Sequence, residues 1–80
     1  MIRLTRHAQV RVAAGEVKAV WIEAAVRWAT YRRSDPRHPE VTLSFRAIPE
    51  FGGRVLRVAH RPDGDDILVI TAFFDRGATP

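Results

Sequence analysis

The chain contains no cysteine and only one lysine, one methionine and one tyrosine among its 80 residues. The absence of cysteine excludes a disulfide framework and a thiolate zinc site. No apolar run approaches the roughly 20 residues that a membrane-spanning helix requires. The first residues also contain no apolar segment typical of a secretory signal. We therefore expect a cytoplasmic protein that does not contact membranes, folded as a single domain over residues 1–80.

Several catalytic motifs are also missing. The chain has no glycine-rich loop that would hold a nucleotide phosphate, no zinc-protease helix motif and no serine nucleophile elbow. These absences argue against nucleotide hydrolysis and acyl transfer. Asp63, Asp65 and Asp66 form an acidic cluster, but they lack the distal glutamate of a calcium loop, and turn chemistry explains them better. We expect neither a metal nor a cofactor.

The charge is unevenly distributed. Twelve of the 13 basic residues are arginine, and the net charge is +4. Residues 1–40 hold eight basic and four acidic residues, whereas residues 41–80 hold five of each. A basic half of this kind favours a polyanionic partner such as nucleic acid, or an acidic protein. Coding bias toward arginine and the ordinary charge of a soluble surface explain the same numbers equally well.

Two helices are predicted in the first half. Thr5 is a suitable N-cap for a helix over about residues 6–14, and Gly15 ends it. A second helix is expected over about residues 16–29. Its apolar residues follow the spacing of a buried stripe: Val17, Val20, Trp21, Ala24 and Trp28. The polar stretch over residues 30–39 carries two prolines and is predicted to be a loop.

Three strands are predicted in the second half, over about residues 41–48, 54–60 and 67–74. The first two alternate apolar and polar side chains, and the third is apolar at nearly every position, as in a strand buried on both faces. Helices followed by strands predict an α+β fold. In this fold, two N-terminal helices pack on one face of an antiparallel sheet of three to four strands.

A small basic group near the start of the chain is the strongest functional signal. His7 and Arg11 are four residues apart, so they are neighbours on one helix face. The imidazole can take or give a proton near neutral pH, and the guanidinium can hold a phosphate. An ordinary surface histidine beside an arginine whose stem covers apolar surface would show the same spacing.

Segments along nearly the whole chain resemble the domain of unknown function 4258 family. They are Thr5-Arg6-His7-Ala8, Arg11, the apolar second helix, Gly53-Arg54-Val55-Leu56-Arg57-Val58, Val69-Ile70-Thr71-Ala72-Phe73 and Asp75-Arg76. That family is similar to small ribonucleases of the barnase, colicin and RelE type, in which one or two N-terminal helices pack on a four-stranded antiparallel sheet. Members of this group are often toxins that cut RNA without a metal.

The resemblance implies a catalytic set formed by His7, Arg11, Arg57 and Thr71. The histidine would act as acid or base, the two arginines would hold the phosphate, and the threonine would donate a hydrogen bond to the transition state. Further contacts to RNA or phosphate are expected from Arg6, Arg32 and Arg46. His60 and Tyr31 are candidates for a second proton carrier. Arg57 and Thr71 are also compatible with ordinary strand positions.

The expected function is therefore that of a metal-independent endoribonuclease, a toxin of a toxin–antitoxin system. The alternative is a binding module without catalysis that recognises nucleic acid or an acidic protein. The expected partners are RNA, an antitoxin protein and, through the broad apolar surface of the second helix, a second copy of the chain as a homodimer. Catalysis requires the four side chains of the catalytic set to converge in one cleft, whereas the binding module does not. The positions of these side chains therefore distinguish the two functions.

Overall fold

The computed structural model describes residues 1–79, and Pro80 lies outside the described residues. Within them the chain forms β1 (Ile2–Leu4), α1 (Arg6–Ala13), α2 (Ala19–Arg27), β2 (Tyr31–Ser34), β3 (Thr42–Ile48), β4 (Arg54–Asp63) and β5 (Asp66–Phe74). A short 3-10 helix, Pro49–Phe51, links β3 to β4. The predicted α+β class is confirmed. Neither α-helix of residues 1–79 has the length and apolar character needed to cross a membrane.

The strands form one mixed sheet with the order β1-β5-β4-β3-β2. β1 pairs with β5 in parallel, and all other neighbouring strands are antiparallel. The predicted number of three to four strands and the uniform antiparallel pairing are therefore wrong. β1 has three residues, which is too short for a recognisable alternation. It is held by Arg3, which forms ion pairs with Asp63 and Asp66 of the acidic cluster.

β2 lies within the stretch that was predicted to be a loop. Its four residues pair with β3, and Tyr31 lies opposite Phe45. All four are exposed because β2 is an edge strand. Their sequence therefore shows no alternation of apolar and polar residues, which is the signal that sequence analysis depends on. The other strand boundaries differ from the prediction by one to three residues.

α1 is fixed to the sheet by its N-cap. The Thr5 hydroxyl accepts a hydrogen bond from the backbone N–H of Ala8, at 3.2 Å, and donates one to the carbonyl of Ile70, at 2.8 Å. Ile70 lies at an irregularity in the pairing of β4 with β5. Thr5 therefore caps the start of α1 and also connects α1 to β5. Ala8, on the inner side of α1, is fully buried.

α2 is shorter than predicted, and its buried stripe is different. The helix begins at Ala19, so the buried Val17 precedes it and does not define its inner face. The core-facing residues of α2 are Ile22, Ala25 and Val26. Val20 and Trp28, which were predicted to be buried, are 64% and 65% exposed. The predicted buried stripe is therefore wrong, because α2 turns a different set of residues toward the sheet.

The sheet separates two clusters of buried residues. The larger one lies between the helices and the sheet and contains Ala8, Val17, Ile22, Ala25, Val26, Ile48, Leu56, Val58, Val69 and Ala72. The smaller one contains Val41, Leu43, Phe45, Val55 and Ala59 and includes no helical residue. Both helices consequently pack on one face of the sheet, as predicted.

Candidate functional site

The face of the sheet that points away from the helices, which we call the open face, carries a mixture of arginine and aromatic side chains. Residues that are cross-strand partners lie on the same face, and alternate residues of a strand do too. On β2 to β5 this places the following residues on the open face: Tyr31, Arg33, Leu43, Phe45, Ala47, Val55, Arg57, Ala59, Thr71 and Phe73.

The structure divides the predicted catalytic set between the two sides of the sheet. His7 and Arg11 lie on α1, on the helical side. Arg57 lies between Leu56 and Val58, both of which pack beneath the helices, so it points to the open face. Thr71 is the partner of Ala59 in the open-face cluster. The four side chains therefore do not meet in one cleft.

His7 and Arg11 are neighbours, as their spacing requires. The Nε of Arg11 lies 3.4 Å from Nε2 of His7. A second contact competes for this guanidinium, because its Nη1 lies 3.6 Å from a carboxylate oxygen of Glu16. His7 is exposed, as is the adjacent Arg6. The pair forms a small polar cluster on the helix surface, in contact with one carboxylate.

Two of the predicted phosphate contacts are occupied by the backbone. Nη2 of Arg32 donates to the carbonyl of Val26 at 2.8 Å, and Nη1 of Arg46 donates to the carbonyl of Trp28 at 2.7 Å. These carbonyls lie at the end of α2, where the last turn has no intrahelical donors left. Basic side chains at this end also match the sign of the helix dipole. Arg32 and Arg46 therefore cap α2.

Arg57 is the central basic residue of the open face. Its guanidinium carbon lies 5.3 Å from the centre of the Phe73 ring. Its Nη1 lies 3.6 Å from a carboxylate oxygen of Asp75, and the side chain is 29% exposed. The ion pair involves one nitrogen of a guanidinium that carries several N–H donors. N–H donors of Arg57 therefore stay available to a ligand.

A second arginine–aromatic group lies at the β2 edge. The rings of Tyr31 and Phe45 are stacked, with centroids 4.6 Å apart and an angle of 11° between their planes. Arg33 lies 5.2 Å from the centre of the Phe45 ring. Phe45 is 1% exposed, whereas Tyr31 is 36% exposed. Tyr31 therefore presents an exposed ring, and the buried Phe45 ring packs against its inner surface.

The loop after β2 places a carboxylate beside this face. The backbone N–H groups of Arg37 and His38 donate to Oδ1 of Asp35 at 2.8 and 3.2 Å. The hydrogen bond from Arg37 is the main cause that lowers the pKa of Asp35, and the positive charges of His38 and Arg57 act in the same direction. Asp35 is therefore ionised at neutral pH and repels a phosphate at the rim of the open face.

His60 is buried on the helical side. Its Nε2 lies 2.7 Å from the hydroxyl oxygen of Ser44, and its exposed fraction is 9%. Burial lowers the pKa of His60, and the positive charge of Arg32 lowers it further. The neutral imidazole is thus a structural partner of Ser44. As a candidate second proton carrier it is poorly placed, because it lies on the side of the sheet opposite Arg57.

The burial of His60 predicts a loss of stability in mild acid. The unfolded chain has the ordinary histidine pKa of 6.5 and takes up a proton before the folded chain does. The contribution of His60 to the free energy of unfolding is therefore complete above that pH and falls as the pH drops below it. Urea unfolding of the wild type at pH 7.5 and at pH 5.5 measures this difference.

A glutamine at position 60 tests the assignment, because it does not titrate. The His60→Gln variant is expected to lose much of the difference in unfolding free energy between the two pH values. The matched control is His38→Gln, since His38 is exposed in the loop after β2. An unchanged pH dependence in His60→Gln would show that the acid sensitivity originates elsewhere.

Several residues of the open face were missed by sequence analysis. The sequence indicates Tyr31 only as a candidate proton carrier and gives no signal for Arg33, because their strand lies in a stretch that is predicted to be a loop. The pairing of Asp75 with Arg57 joins the end of β5 to β4, and no local pattern marks such a contact. Among residues 1–79 no group of three or more histidine, aspartate or glutamate side chains is arranged to hold a metal ion.

Comparison with family models, curated proteins and solved structures finds no match for this chain. The resemblance to the domain of unknown function 4258 family thus stays a prediction.

Proposed function

We propose that the protein binds single-stranded RNA on the open face of its sheet. The observation that carries this proposal is the pairing of arginine with aromatic rings on a sheet face that no helix covers. Arg57 lies over Phe73, and Arg33 lies over the Phe45 ring that supports Tyr31. Guanidinium groups contact phosphates, and aromatic rings stack on bases, so this combination suits a strand with unpaired bases.

The chemistry of the open face favours RNA over an acidic protein as the partner. Arginines alone would be enough to bind an acidic peptide. On the open face the arginines lie beside aromatic rings that solvent reaches, since Phe73 is partly exposed and Tyr31 is exposed. Thr71, also on the open face, adds a hydroxyl that can donate to a phosphate or a ribose oxygen. The resemblance to small ribonucleases supports the same class of ligand.

Binding without cleavage is the form of this function that the geometry favours. Metal-independent cleavage needs a proton acceptor, a proton donor and positive charge around one phosphate. His7 and His60 both lie on the helical side of the sheet, whereas Arg57 and Thr71 lie on the open face. This division of the predicted catalytic residues between the two sides of the sheet supports binding over cleavage.

A titration with salt tests the proposal. A fluorescently labelled single-stranded RNA of mixed sequence is expected to bind at low salt, and a duplex of the same sequence is expected to bind more weakly. For two to three neutralised phosphates, the slope of log K against log salt is about −1.4 to −2.1. The absence of binding at 20–50 mM salt (roughly the range in which such contacts are strongest) by a folded protein would refute the proposal.

The variant His7→Ala separates binding from catalysis. We expect it to bind RNA as tightly as the wild type, because His7 lies on the opposite side of the sheet from the proposed site. We also expect RNA incubated with the wild type in EDTA to stay intact, as analysed on a denaturing gel. Cleavage in EDTA that is lost in His7→Ala would instead support the endoribonuclease prediction.

The toxin, antitoxin and homodimer expectations stay predictions. Growth arrest on expression in bacteria would test the first, and sedimentation of the purified protein would test the last. The exposed Val20 and Trp28 on α2 are the residues to examine if the chain associates with itself.

A further inference from the structure

A half-open cavity of about 420 Å³ lies at the end of the sheet, where β4 begins and β5 ends. Its walls are formed by Gly53, Arg54, Val55, Phe74, Asp75, Arg76 and Ala78. Val55 belongs to the open-face cluster, against which Ala78 also packs. Arg57 is two residues beyond Val55 on the same face of β4, a distance of about 7 Å along the strand. The cavity therefore lies at the end of the sheet beyond Arg57, between open-face residues (Val55, Ala78) and helical-side residues (Arg54, Phe74).

Two guanidinium groups flank this cavity. Within residues 1–79, neither Arg54 nor Arg76 forms an ion pair. Arg54 lies 5.2 Å from the centre of the Phe51 ring. Because no carboxylate of residues 1–79 pairs with it, the guanidinium keeps N–H groups for a ligand. Two arginines without ion pairs in the wall of one cavity suit an anion with several oxygens.

The carboxylate of Asp75, in the cavity wall, already has a partner for each of its oxygens. One oxygen of Asp75 accepts a hydrogen bond from the backbone N–H of Gly77 at 2.9 Å, and the other lies 3.6 Å from Nη1 of Arg57. This contact offsets only part of the negative charge of Asp75, because Arg57 also keeps N–H donors for a ligand. The two remaining guanidinium groups leave the cavity with positive charge.

From this arrangement we propose that the cavity binds the terminal phosphomonoester of an RNA strand, with the phosphate between Arg54 and Arg76. The inference rests on the proposed binding of RNA by the open face and names which part of the strand occupies its end. A phosphomonoester carries more negative charge than the phosphodiesters within the strand, so it is the group that two guanidiniums favour most. The volume lies within the range of small-molecule sites and admits one nucleotide.

Four oligonucleotides of one sequence test the inference: with a 5′-phosphate, with a 3′-phosphate, with both ends phosphorylated, and with two hydroxyl ends. We expect a terminal phosphate at one end to strengthen binding about tenfold over the hydroxyl form, as measured by fluorescence titration. Arg54→Gln is expected to remove this preference and to leave the affinity for the hydroxyl form unchanged. Arg27→Gln, which removes the same charge from α2 on the helical side, is the matched control.

The outcomes separate the two proposals. Equal binding of all four oligonucleotides would overturn the phosphate site while leaving RNA binding intact. If no oligonucleotide binds, a nucleoside monophosphate is titrated against the wild type and Arg54→Gln, and chemical shifts of the cavity residues are followed. Shifts that depend on Arg54 would support the cavity site and refute RNA binding by the open face. The absence of such shifts would overturn the cavity site as well.

Discussion

Replacing Phe45 with alanine is expected to lower the free energy of unfolding by about 3–5 kcal/mol. The ring is 1% exposed and lies among the apolar residues of the smaller cluster, with Tyr31 stacked on it. A cavity of this size cannot be refilled by the short side chains nearby, namely Val41, Val55 and Ala59. A domain of 80 residues has a total stability of roughly 4–12 kcal/mol, so a substantial fraction of the variant would be unfolded. Urea unfolding followed by far-UV circular dichroism measures the change.

The matched control is Phe51→Ala on the helical side. Phe51 also contacts aromatic rings, with centroids 5.6 Å from Trp21 and 4.6 Å from Phe74, but it is 39% exposed. Its loss is expected to cost clearly less than the loss of Phe45, because solvent already reaches the ring. Equal costs for the two variants would show that the smaller cluster does not stabilise the fold independently of the helices.

The elements predicted from sequence share one property, which is an apolar pattern long enough to be recognised. β3 and β4 bury residues on both sides of the sheet, whereas β5, predicted to be buried on both faces, buries Val69 and Ala72 beneath the helices; all three strands match the prediction with small boundary errors. β1 has three residues, and β2 exposes all four of its side chains. Both are held by pairing with a distant strand, which no local pattern records. The length of the sheet was therefore underestimated at both edges.

Only the local contacts of the candidate site could be predicted from the sequence. Spacing along one helix gives the contact between His7 and Arg11, because it depends only on helical geometry. Alternation along β4 places Arg57 on one face, but it does not say which face the helices cover. The tertiary packing makes that choice: Leu56 and Val58 join the cluster beneath the helices, and Arg57 therefore points to the open face. The separation of His7 from Arg57 is thus a property of packing.

Stability and function are linked on the open face. The stacked pair of Tyr31 and Phe45 contributes to the smaller cluster, and it also supports the ring that is proposed to contact RNA. A variant that loses Phe45 would lose RNA affinity through unfolding and through the loss of this support. Tests of binding are therefore better made at the surface layer, where Arg57 and Phe73 are partly exposed.

Arg57→Gln is expected to weaken the binding of single-stranded RNA about tenfold at low salt and to make the salt slope about one unit less negative. Glutamine keeps much of the stem that lies over Phe73 but removes the charge that contacts phosphate. Phe73→Ala is expected to cost about 1–3 kcal/mol of binding energy, because it removes a surface on which a base stacks, and to leave the salt slope unchanged. Because the two side chains touch, the double variant should lose less than the sum of the single losses.

The control for these variants is Arg6→Gln, which makes the same change of net charge on α1. Arg6 is exposed on the helical side, so its loss is expected to change the affinity less than twofold through the overall charge. Thermal unfolding of each variant confirms that the fold is intact before binding is compared. A loss in Arg6→Gln as large as that in Arg57→Gln would mean that RNA is attracted by the net charge of the protein. A loss confined to Arg57 and Phe73 would support binding of the strand on the open face, where this guanidinium and this ring lie beside each other and are partly exposed.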